Sequence, residues 1–174
     1  MKTAQRTLAK LCIAAGFGLL AVSAHAFELR GFRGVSWGDG VEALGDTAVL
    51  ANTEGDVTCY QRERENLLFG DSALNGVRYC FHNDHLVMVA LDAAVEPKAL
   101  SAEFQRTYGR PDAQGRQAAS WGGKTSGTRA ELVAQGSAAA RLSIYSNKID
   151  AALAKRIHKL ATSADGMQHV ATAY

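Results

Sequence analysis

The chain has 174 residues, with 19 basic and 17 acidic side chains and a formal net charge of +2. Lys2, Arg6 and Lys10 all precede the first acid, Glu28, and setting them aside leaves 16 bases against 17 acids. A chain that close to neutral has no field strong enough to hold nucleic acid or an anionic lipid surface, and both are excluded as partners.

Those first three bases form a positive stretch ahead of the apolar run "LCIAAGFGLLAV", which is too short for a comfortable membrane span. The run ends in Ser23-Ala24-His25-Ala26, and Ala24-x-Ala26 is the small-residue pattern that signal peptidase cuts. Residues 1–26 are therefore read as a cleaved signal peptide, and the mature chain, beginning at Phe27, as a protein of the periplasm or secreted. Cys12 is a poor lipid attachment site: Lys10 and Leu11 stand where a lipobox needs small residues, and the apolar run follows the cysteine. No later segment reaches membrane-spanning length. Cys59 and Cys80 remain after the cut, and two cysteines in an exported chain most often pair. A Cys59–Cys80 disulfide is expected, worth about 3 kcal/mol on the chain-entropy account.

Residues 27–162 read as a single domain followed by a flexible tail, 163–174. Asp39 followed by Glu42 has the spacing of a capping box, and it predicts a short helix with Val41, Leu44 and Ala48 on its apolar side. Val57–Arg64 reads as a half-exposed strand. In "ALNGVRYCFHNDHLVMVALDA" two β-rich runs flank Asn83-Asp84, residues that tolerate the positive φ of a two-residue hairpin turn. A helix follows from Pro97 to Tyr108: proline suits its first turn, Leu100, Phe104 and Tyr108 form one stripe, and Gly109 and Pro111 end it. Strands are expected at Gln117–Trp121, Thr128–Ala134 and Ala139–Tyr145. Asn147 then caps a last helix carrying Ile149, Leu153, Ile157 and Leu160 on one face, with Lys155, Arg156 and Lys159 complementing its C-terminal dipole.

The order is a helix and three strands, repeated, then a closing helix. The economical packing is an α+β fold: an antiparallel sheet with helices on one face and a pseudo-repeat of helix–three strands. "FRGVSWGDGVEAL", "VRYCFHNDHLVMVAL", "LSAEFQRTYGRPD", a lone Trp121 before a hairpin and "ARLSIYSNKI" together resemble a group of small exported bacterial domains of uncharacterised function. Their layout is similar to the tandem helix–three-strand fold of the β-lactamase-inhibitor protein and, as a single unit, of the small lipoprotein of the outer-membrane assembly machinery. The shared motifs mark the fold, and the resemblance carries no catalytic residue across.

"WGGKTSG" contains the last three residues of a phosphate-binding loop. The first glycine of that motif would fall at Ala118, and a strand rather than a helix is expected to follow, so no nucleotide or other cofactor is expected. His82 and His85 flank the hairpin turn, which would place their Cβ atoms about 5 Å apart. That spacing suits two imidazoles on one zinc or copper ion, but no third ligand is fixed, so the reading is a polar hairpin tip, with a metal-binding protein as the alternative. No Gly-x-Ser-x-Gly or His-Glu-x-x-His is present, and the pair Asp92 and Glu96 reads as strand-end and helix-cap residues. The chain is read as a non-enzyme, a small periplasmic enzyme without a local signature being the second alternative.

What remains is surface. The hairpin carries Val77, Tyr79, Phe81, Leu86 and Met88 on one face and Cys80, His82, Val87, Val89 and Leu91 on the other, more apolar area than helices on one side can cover. Tyr79, Phe81 and Met88 are therefore the candidate interaction surface, and the partner expected is an envelope or secreted protein.

Overall fold

Asn83 and Asp84 carry backbone φ angles of 49° and 61°, the left-handed pair that a two-residue type I′ turn requires. The hairpin they close, as expected, forms the middle of the molecule. In the computed structural model, residues 27–123, 126–146, 149 and 151–162 are described. The chain begins with β1 (Gly31–Phe32), β2 (Val35–Ser36) and a 3-10 turn at Val41–Leu44. It continues through β3 (Ala48–Glu54), β4 (Val57–Arg62), β5 (Leu68–Phe69), β6 (Ser72–His82) and β7 (His85–Ala93). Then come α1 (Pro97–Tyr108), β8 (Ala113–Gln114), β9 (Ala118–Trp121), β10 (Thr128–Ala134), β11 (Ala140–Ser146) and α2 (Ala151–Thr162). The segments expected as a leader (1–26) and a tail (163–174), and the expected cap at Asn147, lie outside the described residues. Among the described residues, no helix is long and apolar enough to cross a membrane.

The main sheet is antiparallel, in the order β3-β4-β6-β7-β11-β10-β9-β8, with β5 folding back on β6. Cys59 and Cys80 are direct cross-strand partners on β4 and β6, and their sulfurs are bonded.

The sheet is buried on both faces, and the helices divide between them. Leu100 and Phe104 of α1 join Val77, Tyr79, Phe81, Leu91, Leu132, Leu142 and Trp121 in one core. Leu153 and Ile157 of α2 join Val57, Cys59, Cys80, Val87, Met88 and Tyr145 in another. The expectation of helices on one face is thus corrected. A helix stripe records that one side is buried but not which face receives it. Central strands that are apolar on both sides need cover on both.

Two further expectations change. No capping box forms: Asp39 Oδ2 instead accepts from the Ser36 N–H at 2.7 Å, and Gly40 is the N-cap with no side-chain bond. Glycines at 40 and 45 reduce the segment to one 3-10 turn, and Ala48 enters a strand. That strand, β3, gives the first half four long strands before α1, so the halves are unequal and the helix–three-strand repeat does not hold. The strand from Val57, the central hairpin, α1 and strands β9 to β11 fall where expected within two residues, whereas α2 begins only at Ala151, beyond Ile149, and the short strands β1, β2, β5 and β8 are additional.

Candidate functional site

The hairpin tip brings His82 and His85 together as register partners, yet the two rings are held by different neighbours. His82 Nε2 lies 3.0 Å from Asp56 Oδ2 in the β3–β4 turn, and Arg156 of α2 reaches the same carboxylate oxygen at 3.0 Å. Burial works against ionisation of Asp56, but the His82 hydrogen bond, a backbone hydrogen bond and the Arg156 charge hold its carboxyl below the ordinary value. His85 Nδ1 lies 2.8 Å from the Gly38 carbonyl oxygen. Among the described residues, no group of three or more His, Cys, Asp or Glu side chains is placed to hold a metal ion. The arrangement ties the hairpin to α2 on one side and to the Trp37-Gly38 turn on the other.

Tyr79, Phe81 and Met88 are buried, at 0%, 3% and 4% exposure, and this corrects their placement on an interaction surface. α1 and the N-terminal segment cover the first two, and α2 covers the third. Tyr79 is an anchor instead. Its hydroxyl donates to Glu65 Oε2 at 2.9 Å, and the Arg62 guanidinium lies 5.0 Å over its ring. Burial, and then the Glu65 carboxylate, push the phenol well above its usual range.

Asp92 stands opposite Arg141 in the register of β7 and β11. Its Oδ1 accepts from Arg141 Nε at 2.6 Å, and its Oδ2 lies 2.9 Å from Arg78 Nη2. Burial, with repulsion from Arg141, lowers the Arg78 pKa against the pull of Asp92. Glu96 is the exposed N-cap position of α1 and makes no side-chain capping bond. The segment Trp121–Gly127 joins strand to strand, not strand to helix, and the Gly127 N–H donates to Glu28 Oε2 at 2.9 Å.

The exposed large apolar side chains are elsewhere, and sequence reasoning missed them. Val49 and Leu50 on β3 are 46% and 59% exposed, and Leu67 and Leu68 are 44% and 56% exposed. β3 is an edge strand: it pairs with β4 and has no neighbour on its other side among the described residues. The loop carrying Leu67 and Leu68 continues from β4, and the Glu63 N–H donates to the Thr47 carbonyl oxygen at 3.0 Å, which ties the start of the loop to the entry of β3. The Arg33 guanidinium fixes the same loop by bonding the carbonyls of Asn66 and Leu68 and pairing with Glu65 at 2.7 Å.

No family model, curated protein or solved structure matches the chain. The site is thus read from its geometry. Natural edge strands are usually blunted by lysine, proline or a bulge. β3, "AVLANTE", has neither lysine nor proline; a bulge at Ala51, where the register shifts between Leu50 and Asn52, interrupts it and leaves Ala48–Leu50 as one continuous stretch. It presents unpaired backbone groups beside Val49 and Leu50. Its charged surroundings are mainly acidic: Asp46 precedes it, Glu54 ends it and Glu63 lies alongside, all exposed, with Arg64 as the exposed cation nearby.

Proposed function

We propose that the mature chain is an exported binding protein that captures an extended segment of another envelope or secreted protein along β3. The observation that carries this reading is the edge of β3, unpaired on one side among the described residues, with Val49 and Leu50 exposed on the stretch before its bulge. Strand addition supplies main-chain hydrogen bonds for affinity, and alternate side chains select the partner. The segment that fits is apolar at its centre with basic residues flanking it, because Asp46, Glu54 and Glu63 bracket the edge. A second copy of this chain fits less well: antiparallel pairing centred on Val49 and Leu50 would bring Asp46 of each copy close to Glu54 of the other. The tethering of the Leu67-Leu68 loop by Arg33 supports the same surface, since a rigid edge loses less entropy on binding.

The test is a photo-crosslinking amino acid at Leu50, with the same group at exposed Ala102 of α1 as control. The Leu50 probe should capture a defined partner in the envelope and the control should not. Leu50→Pro, which keeps an edge position but blocks strand addition, should abolish capture from a neighbouring probe at Val49 while the protein stays folded. Equal capture from both positions, or capture that survives the proline, overturns the reading.

A further inference from the structure

We propose that a slot between the first turns of α1 and the β8–β9 edge binds a small organic anion with an apolar body, through Lys98, Arg116 and Ser101. The slot lies at the opposite edge of the sheet from β3, and the inference is independent of the partner proposed there. Its volume is about 330 Å3, within the range of small-molecule sites. Buried Leu132 and Ala119 line it together with Pro97 and Ala118, a surface that favours hydrocarbon.

The charged groups at its rim have one sign. Lys98 and Arg116 line the slot and no carboxylate does. Among the described residues, neither cation has an ion-pair partner. Ser101 supplies a second, independent observation. It lines the slot at 4% exposure, and its Oγ has no hydrogen-bond partner among the described residues. Buried hydroxyls are normally satisfied, and an anionic oxygen entering beside Lys98 would accept this one. Two long cationic stems over an apolar floor match a singly charged carboxylate head followed by a hydrocarbon chain. An inorganic phosphate would leave the floor empty.

The probe is octanoate, titrated into the oxidised, exported chain and followed by amide chemical shifts and calorimetry. Saturable binding is expected, with the largest shifts at Ser101 and Gly115. Lys98→Ala with Arg116→Ala should weaken it at least about tenfold, the scale of a lost charge-assisted contact. Octan-1-ol and inorganic phosphate should each bind at least about tenfold more weakly than octanoate, since each lacks one half of the match. Ser101→Ala should weaken octanoate without lowering the melting temperature. A serine with a purely structural role would do the reverse. The proposal is overturned by the absence of saturable binding, by octan-1-ol binding as tightly as octanoate, or by an unchanged affinity in the double variant.

Discussion

The indole Nε1–H of Trp121 donates to the carbonyl oxygen of Gly109 at 2.9 Å, so a side chain from β9 caps the C-terminal end of α1. The same ring packs edge-on against Phe104, with centroids 4.6 Å apart. One residue thus satisfies a helix-end carbonyl and fills the core beneath the helix. Trp121→Phe keeps most of the apolar contact but leaves the carbonyl without its donor. It is expected to destabilise the fold by about 1–3 kcal/mol, read as a lower urea midpoint at unchanged slope. A loss within error of zero would mean that solvent reaches Gly109 and that the cap contributes nothing.

Much of this framework is legible in the sequence because its signals are local. Asn83-Asp84 between β-rich runs, Pro97 and Gly109 around an i, i+4, i+8 stripe, and the pair Cys59 and Cys80 each point to one structure. β3 escapes such a reading because an edge strand exposed on both sides has no alternation to reveal it. The signal available was the Gly55-Asp56 pair, a two-residue hairpin loop between Glu54 and Val57. The choice of face for α2, and the meeting of Asp92 with Arg141 across 49 residues of chain, depend on long-range packing that no window contains. The candidate surface moved from Tyr79 and Met88 to Val49 and Leu50 for the same reason.

Asp92 sits between two guanidiniums in a buried setting, with Arg141 itself 1% exposed. Asp92→Ala leaves buried positive charges without their shared carboxylate, and the expected cost is about 3–5 kcal/mol. Glu96→Ala, at an exposed position with no capping bond, should change stability by less than about 0.5 kcal/mol. Thermal melts of the two variants check the contrast. Comparable effects would mean that Asp92 is reached by water.

At the hairpin tip, the His82–Asp56 contact involves a side chain that is 43% exposed on the Asp56 side, so solvent screens it and its removal should have only a small effect on stability. Because the folded-state carboxyl of Asp56 lies below its unfolded value, its contribution is present at neutral pH and is lost as pH falls through the folded value. His82→Ala should therefore lower stability slightly at neutral pH, leave it unchanged below the folded carboxyl value, and so flatten the acid limb between the two. Added zinc should not move the melting temperature of the wild-type chain. A zinc-dependent rise that disappears in His82→Ala, His85→Ala would restore the two imidazoles as metal ligands.

The alkaline limb has a different origin. Tyr79, Tyr108 and Tyr145 are all pushed above the ordinary phenol value of 10.0, in each case first by burial. The Glu65 hydrogen bond and charge add to the shift at Tyr79, and the Glu131 charge and hydrogen bond add to it at Tyr145; Arg33 opposes it at Tyr108. A raised folded-state value means that the native protein holds these protons more tightly than the unfolded chain. Below about pH 10 both states are protonated and the stabilisation is complete; above it the unfolded state ionises first and stability falls as pH rises. Phenolate absorbance followed on raising the pH should show these three rings ionising together with the loss of near-ultraviolet circular dichroism, not before it. Tyr79→Phe should remove that ring's share of the alkaline slope, but it also takes the hydroxyl donor from Glu65 Oε2, which keeps its pairing with Arg33, at a cost at neutral pH of about 0.5–1.5 kcal/mol. Independent, reversible ionisation of all three near pH 10 in a protein that stays folded would show that the sheet does not shield them, and the burial argument for both faces would fail with it.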